Sequence, residues 1–361
     1  MTFLLLFSVF SSLVWSQQSE PTPNAAELGV TEQEEDMTDM MLQQSNLTEE
    51  EVQKLEEQIK SDPNNLFVRA KLIGFYSHHQ FDSDAARKEY VRHAIWLIAN
   101  HPDIPAAGTP AIEMDPVIDP DGYQEAKRLW LKHVETHDTN TAIIGNAASF
   151  FLISDSNLAE QLLKKAQTLE PKNPKWPQQL AHLYRLEFNR QTADSNSNPA
   201  IKALEQMEKS LQLSSSEVEK FYMLADLAKN AFDAGDANKA QSYARELIAL
   251  APKYSRDWNY GNAIHYGNIV LGRIALRAGN LDAAKKYLLE AGKTPGSPQL
   301  NSFGPNMTLA NELLEKGEKD VVLQYFGLCA KFWKMGQEKL KDWTALVKGG
   351  RSPDFGAQVN Y

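Results

Sequence analysis

Two stretches of this chain carry one small-residue pattern, offset by 44 residues. The first runs Leu224, Leu227, Ala228, Ala231, Gly235, Ala240, Ala244, Leu247 and Pro252. The second runs Asn268, Leu271, Gly272, Ala275, Gly279, Ala284, Leu288, Ala291 and Gly296. Apolar residues at steps of three and four describe one face of a helix. The glycine in the middle marks a helix-to-helix turn, and the alanines recur where two helices must approach closely. A unit of this kind cannot bury its apolar face alone, so neighbouring units must stack on it. The pattern predicts an all-α fold of stacked helix pairs.

Weaker copies of the frame extend in both directions. Thr48 followed by Glu51 is a capping box, and Val52, Leu55 and Ile59 give one helical face. Helices are expected over Leu66–His79 and Ala85–Asn100. The endings Asp62-Pro63, His101-Pro102, Glu170-Pro171 and Ala251-Pro252 are stops where proline cannot continue a helix. Residues 103–121 hold Pro105, Pro110, Pro116 and Pro120 without helical period, and read as a loop inserted in the array. The frame resumes at Tyr123, Ala126, Trp130 and His133, then Ile143, Ala147 and Phe150, then Ala159, Leu163 and Ala166. A polar insert is expected at 189–198. One long amphipathic helix over about 320–347, with the stripe Val322, Phe326, Ala330, Trp333, Leu340, Trp343 and Val347, is expected to cap the array. The tail 348–361 is short and irregular.

The N-terminus is different in kind. Phe3–Trp15 is an uninterrupted run of 13 largely apolar residues, short for a membrane span. Small residues at Val14 and Ser16 suit cleavage after Ser16, so residues 1–16 read as a secretory signal peptide. An exported chain, periplasmic or secreted, with no stable membrane span after cleavage is the expectation. Residues 1–57 hold twelve acids and one base, which more than accounts for the net charge of −10. The segment 17–46 is therefore an acidic stretch expected to be mobile, followed by a helical body over 47–347; beyond residue 57 the chain is close to neutral. No basic stripe for nucleic acid is present. Cys329 is the only cysteine, so there is neither an intrachain disulfide nor a cysteine zinc site. Asn46 and Asn306 open glycosylation sequons.

The glycine, alanine and proline positions above resemble tetratricopeptide (TPR) repeat proteins across most of residues 64–347. Four segments are similar to a group of uncharacterised exported bacterial TPR proteins. They are Gly261–Asn268, Asn301–Met307, Phe332–Gly336 and Pro353–Ala357. The resemblance implies an α-solenoid of right-handed stacked helix pairs that binds a protein or peptide along its concave side. It supplies no activity. In that frame the inward positions are Gln178, His182, Arg185 and Leu186 from Leu180, Ala225, Lys229, Phe232 and Asp233 from Leu227, and Ile269, Arg273, Leu276 and Arg277 from Leu271. The cationic and aromatic ones, with Ile269, are the candidates. Tyr222 and Tyr266 fall at the groove edge. Cations beside aromatic rings suit an acidic or carboxylate-bearing partner. The same residues also serve as a plain solvated helix face.

Other constellations point to chemistry more weakly. His133 and His137 stand four apart on a helix and can share a metal, but Glu135 between them departs from the His-Glu-x-x-His pattern. Asp115, Asp119 and Asp121 invite calcium without the EF-hand spacing. Asp257, Asn259, Asn262, His265 and Asn268 place polar groups at about three-residue steps, either as a site or as bonds to neighbouring loops. An enzyme, or a metal- or calcium-dependent protein, with its site near the 103–121 loop and His265 is thus the alternative. No phosphate-binding glycine loop, nucleophile elbow or Cys/His pair occurs. No cofactor and no catalytic residue is therefore expected.

Overall fold

The computed structural model describes residues 37–38, 40–41, 47–190 and 198–359. The expected signal peptide and the Asn46 sequon lie outside these residues. Of the acidic segment 17–46, Met37, Thr38, Met40 and Met41 are described; Met37 and Met41 are buried and the other two half-buried. From residue 49 onward the described residues form sixteen α-helices and no strand. None of the helices is long and apolar enough to cross a membrane. The chain divides into two compact units, Pro21–Leu183 and Tyr184–Tyr361.

The first unit holds α1 (Glu49–Ser61), α2 (Leu66–His79), α3 (Asp84–Asn100), α4 (Pro120–Thr136), α5 (Thr141–Phe151), α6 (Ser156–Leu169) and the start of α7 (Lys175–Arg190). The capping box at Thr48 and Glu51 forms as expected. Helices pair with their chain neighbours, α2 on α3 and α5 on α6. The 103–121 insert is ordered by burial: two short 3-10 turns, Pro105–Gly108 and Pro110–Ile112, tuck Ala106, Ala107, Ala111, Ile112 and Met114 into the core. Helix α4 starts at Pro120 and so takes in the last two residues of the expected insert, and Asp119 caps it by accepting the Gly122 amide.

The second unit continues with α8 (Pro199–Leu213), α9 (Glu217–Asp233), α10 (Ala237–Leu250), α11 (Tyr260–Arg277), α12 (Leu281–Gly292), α13 (Pro298–Ser302), α14 (Thr308–Glu315), α15 (Lys319–Cys329) and α16 (Gln337–Lys348). The two clear sequence units are the pairs α9/α10 and α11/α12, and their leading helices α9 and α11 also touch. Three turns in this unit repeat one hydrogen-bonding scheme. Gly235, Gly279 and Gly317 have φ of 87°, 77° and 83°. After each, an amide closes a six-residue ring: Asp236 to Ala231, Asn280 to Ala275 and Glu318 to Leu313. An L-residue is disfavoured at such φ, which is why glycine recurs there. Ala228, Ala231, Ala240, Ala244, Ala284 and Ala291 are fully buried between helices, as their small size permits.

The C-terminal cap is not one helix. α15 ends at Cys329, a 3-10 turn covers Lys334–Gly336, and α16 runs back against α15. The reason is aromatic burial: the fold-back sets Trp343 5.7 Å from Trp333 and 6.1 Å from Phe326, ring centre to ring centre. A straight helix would have left part of that stripe in water. The tail joins the same cluster, with Phe355 buried 4.9 Å from Trp343. Cys329 is buried, and burial holds its thiol well above the usual thiol range. Asn306 is 5 % exposed and its side-chain oxygen accepts the Thr308 amide, so the second sequon is enclosed in the fold.

Candidate functional site

The second unit contains a cavity of about 320 Å³ walled by α7, α9, α11 and the segments around Asn306 and Val359. Six of the nine sequence-derived candidates line it: Arg185, Lys229, Tyr266, Ile269, Arg273 and Arg277. Phe232 belongs to the same place. It is buried, with the Arg273 guanidinium 4.2 Å and that of Arg277 3.6 Å from its ring centre. Lys229 lies 4.8 Å from the Tyr266 ring centre. The two remaining candidates stand elsewhere. Tyr222 donates to Asp257 Oδ2 at 2.6 Å and lies beside Trp258. His182 belongs to the first unit and does not line the cavity.

The geometry follows from helix period. Lys229, Phe232 and Asp233 share a face of α9, and Tyr266, Ile269, Arg273 and Arg277 share one of α11. Because α9 and α11 touch, the two faces meet. Carboxylates organise the cations: Asp233, an inward position of the frame, and Glu312 and Asp226, which are not. Asp233, 9 % exposed at its side chain, pairs with Arg185 Nη1 at 2.5 Å and faces Arg273 Nη1 at 3.8 Å. Arg273 donates from Nε and Nη2 to Glu312, at 2.9 and 2.8 Å. Lys229 meets Asp226 at 2.8 Å. Arg277 is the exception: it gives one hydrogen bond, from Nη1 to the Phe232 carbonyl at 3.2 Å. No carboxylate stands within ion-pair distance of it among the described residues. Partial burial and the neighbouring Arg273 charge lower its pKa from the ordinary arginine value, and the more distant Glu312 and Asp233 carboxylates offset this only in part. An additional anion there would relieve that repulsion.

The partners of Arg273 and Arg185 lie 39 and 48 residues away in sequence, and no local period signals them. Asn306, Thr308 and Val359 enter the wall because the tail is tied down: the Met307 amide donates to Gln358 O at 2.8 Å.

No protein-family model matches this chain, and no curated protein is detectably similar to it. The site's chemistry therefore has to be read from its geometry.

The alternative constellations resolve into local bonding. Asp257 and Asn259 precede α11 and are not on it. Asn262 donates to Asn259 and Gln299 and accepts from Ser297, which laces α11 to the segment after α12. Both nitrogens of His265 are engaged, Nδ1 with Ala291 O at 3.2 Å and Nε2 with the Asn306 amide at 2.9 Å. Asp115 accepts the Val117 and Ile118 amides, as Asp119 accepts Gly122, so both act as turn caps. The His133 and His137 rings are 6.0 Å apart, with His137 Nδ1 against the His133 carbonyl.

One group in the first unit does have metal-ligand geometry. Ligand atoms of Glu56, Glu89 and His93 fall within 4.8 Å of one another. The Arg92 guanidinium already bridges them, at 2.6 Å from Glu56, 2.6 Å from Glu89 and 2.9 Å from His93 Nε2. Burial raises the Glu56 carboxyl, but bonds to His93 and Arg92 outweigh it and bring its pKa to about 2. A resident guanidinium satisfies the two carboxylates as a cation would, and the cluster reads as a tie between α1 and α3.

Proposed function

We propose that this protein is an exported, non-catalytic scaffold of TPR-like helix pairs arranged as a solenoid. It binds a protein or peptide partner through an acidic segment on the face shared by α9 and α11. Support for the repeat reading comes from the three turns with one hydrogen-bonding scheme and from the 44-residue frame. Support for export comes from the apolar run Phe3–Trp15 and the small residues at Val14 and Ser16. The single observation that carries the binding reading is the cavity itself. Four cations line it against one carboxylate, Asp233, and Arg277, which feels Asp233 and Glu312 only at longer range, makes no ion pair among the described residues.

Arg277→Glu tests the reading, since it reverses the one lining cation without an ion pair and removes no member of the Asp233–Arg273–Glu312 hydrogen-bonded set. Captured from the exported fraction on the full chain, an acidic partner should lose about tenfold or more in affinity, the worth of a charge-assisted hydrogen bond of roughly 1.5–3 kcal/mol. Lys348→Glu, an exposed charge reversal on α16, should leave capture unchanged. Equal retention by wild type and Arg277→Glu would remove the cavity from the function.

A further inference from the structure

The cavity's contents are more specific than an acidic face requires. Its volume of about 320 Å³ sits at the low end of small-molecule pockets, roughly 300–1,000 Å³. It holds one side chain or one small molecule, not a length of helix. Its walls are divided between charge and hydrocarbon: Ile269 and Val270 are buried apolar residues that line it, and Val359 adds to them. Most of the charge is already used. Arg185 and Arg273 face Asp233, Arg273 also binds Glu312, and Lys229 meets Asp226. Asp233 stands between two guanidiniums and is nearly enclosed, so an ammonium group entering the cavity finds no free carboxylate there.

Arg277 remains. A guanidinium carbon 3.6 Å from the centre of the Phe232 ring sits over that ring's face, a contact that holds the cation while leaving N–H groups for an acceptor. One of its five donors goes to the Phe232 carbonyl. A planar cation held in place, with donors to spare and hydrocarbon beside it, is matched to a particular ligand shape.

We infer that this cavity binds a single oxyanion, a carboxylate or phosphate monoester, carried on an apolar body about the size of one amino-acid side chain. Arg277 makes the anion contact, and Ile269, Val270 and Val359 take the apolar body. The inference rests on the anionic preference assigned to this face above, but not on the partner being a protein. The same chemistry comes from two sources, a free small organic anion or an acidic residue projecting from a peptide.

Ligand-observed NMR titration of the full chain tests this. The probes are benzoate and phenyl phosphate, with acetate, inorganic phosphate and benzylamine for comparison. Benzoate and phenyl phosphate are expected to bind about tenfold more tightly than acetate and inorganic phosphate, as an added apolar contact of about 1.4 kcal/mol gives. Benzylamine should not bind. Arg277→Gln should abolish the preference, and Arg277→Lys should restore part of the affinity, losing only the bidentate geometry. Both changes are at an exposed position, and circular dichroism checks that the fold is kept. Displacement of benzoate by acetyl-Leu-Glu-Leu-amide would assign the oxyanion to a peptide side chain; Arg277-dependent benzoate binding without displacement would assign it to a free anion. Equal binding of phosphate and phenyl phosphate, or benzoate binding unchanged in Arg277→Gln, overturns the inference. That failure is separable from failure of the scaffold reading, because Arg277→Glu capture of a protein partner is measured without any small anion.

Discussion

Gly261→Ala is expected to cost the second unit on the order of 3 kcal/mol or more, among the larger effects a single methyl group can have. Gly261 lies in the first turn of α11, where a Cβ would stand 1.9 Å from the Gly296 carbonyl oxygen and 2.5 Å from its carbon. The obstacle is backbone, not the flexible end of a side chain. That backbone is also fixed: Thr294 Oγ1 donates to the Gly261 carbonyl at 2.7 Å and accepts the Gly296 amide at 3.2 Å. Moving it aside would strain the Ser297 and Gln299 bonds to Asn262 as well. Denaturant unfolding measures the loss. Gly327→Ala supplies the comparison, because Gly327 is exposed on α15 with nothing near its Cβ position. There alanine should stabilise by roughly 0.5–1 kcal/mol through helix propensity. Similar behaviour of the two variants would contradict the close approach at Gly261.

The second large effect belongs to His265. It is fully buried and bridges two backbone groups, the Ala291 carbonyl and the Asn306 amide. His265→Phe keeps much of the volume and strands both groups, each at about 1–3 kcal/mol, so a loss of roughly 2–6 kcal/mol is expected. The same residue gives the fold a pH dependence. Burial lowers its pKa from 6.5 to about 4, because a protonated ring would be a charge without water and would aim a donor at the Asn306 donor. Between those two values the unfolded chain binds the proton and the folded chain does not. Stability is therefore complete above pH of about 6.5 and falls by about 3 kcal/mol as pH drops through about 4. Stability of wild type and His265→Phe measured across that window isolates the contribution: the variant should lack this component of the slope. Parallel curves would mean that His265 is not the buried neutral group described here.

The helix pairs were legible in the sequence because their constraints are local. A turn at φ near 80° demands glycine, a close helix crossing demands alanine or glycine, and both recur at fixed offsets. The cationic cavity was partly legible for the same reason, since Lys229, Phe232, Tyr266, Ile269, Arg273 and Arg277 lie at helical spacing on two adjacent helices. Charge pairing was not. Glu312 reaches Arg273 from α14, and Asp233 reaches Arg185 in α7, through tertiary placement alone. Tyr222 carries the aromatic character of a groove residue, yet its hydroxyl is committed to Asp257. Burial and that bond both raise its pKa. The break in the C-terminal cap was hidden because the apolar stripe of 320–347 keeps its period through the bend. A single residue, Gly336, closes the turn between the two helices.

Amide hydrogen exchange of the full chain, alone and with a captured partner, addresses the central claim most directly. Slowed exchange is expected in the segments 226–233 and 266–277, and at 306–308 on the cavity wall. Protection confined to the 103–121 insert, with those segments unchanged, would contradict it.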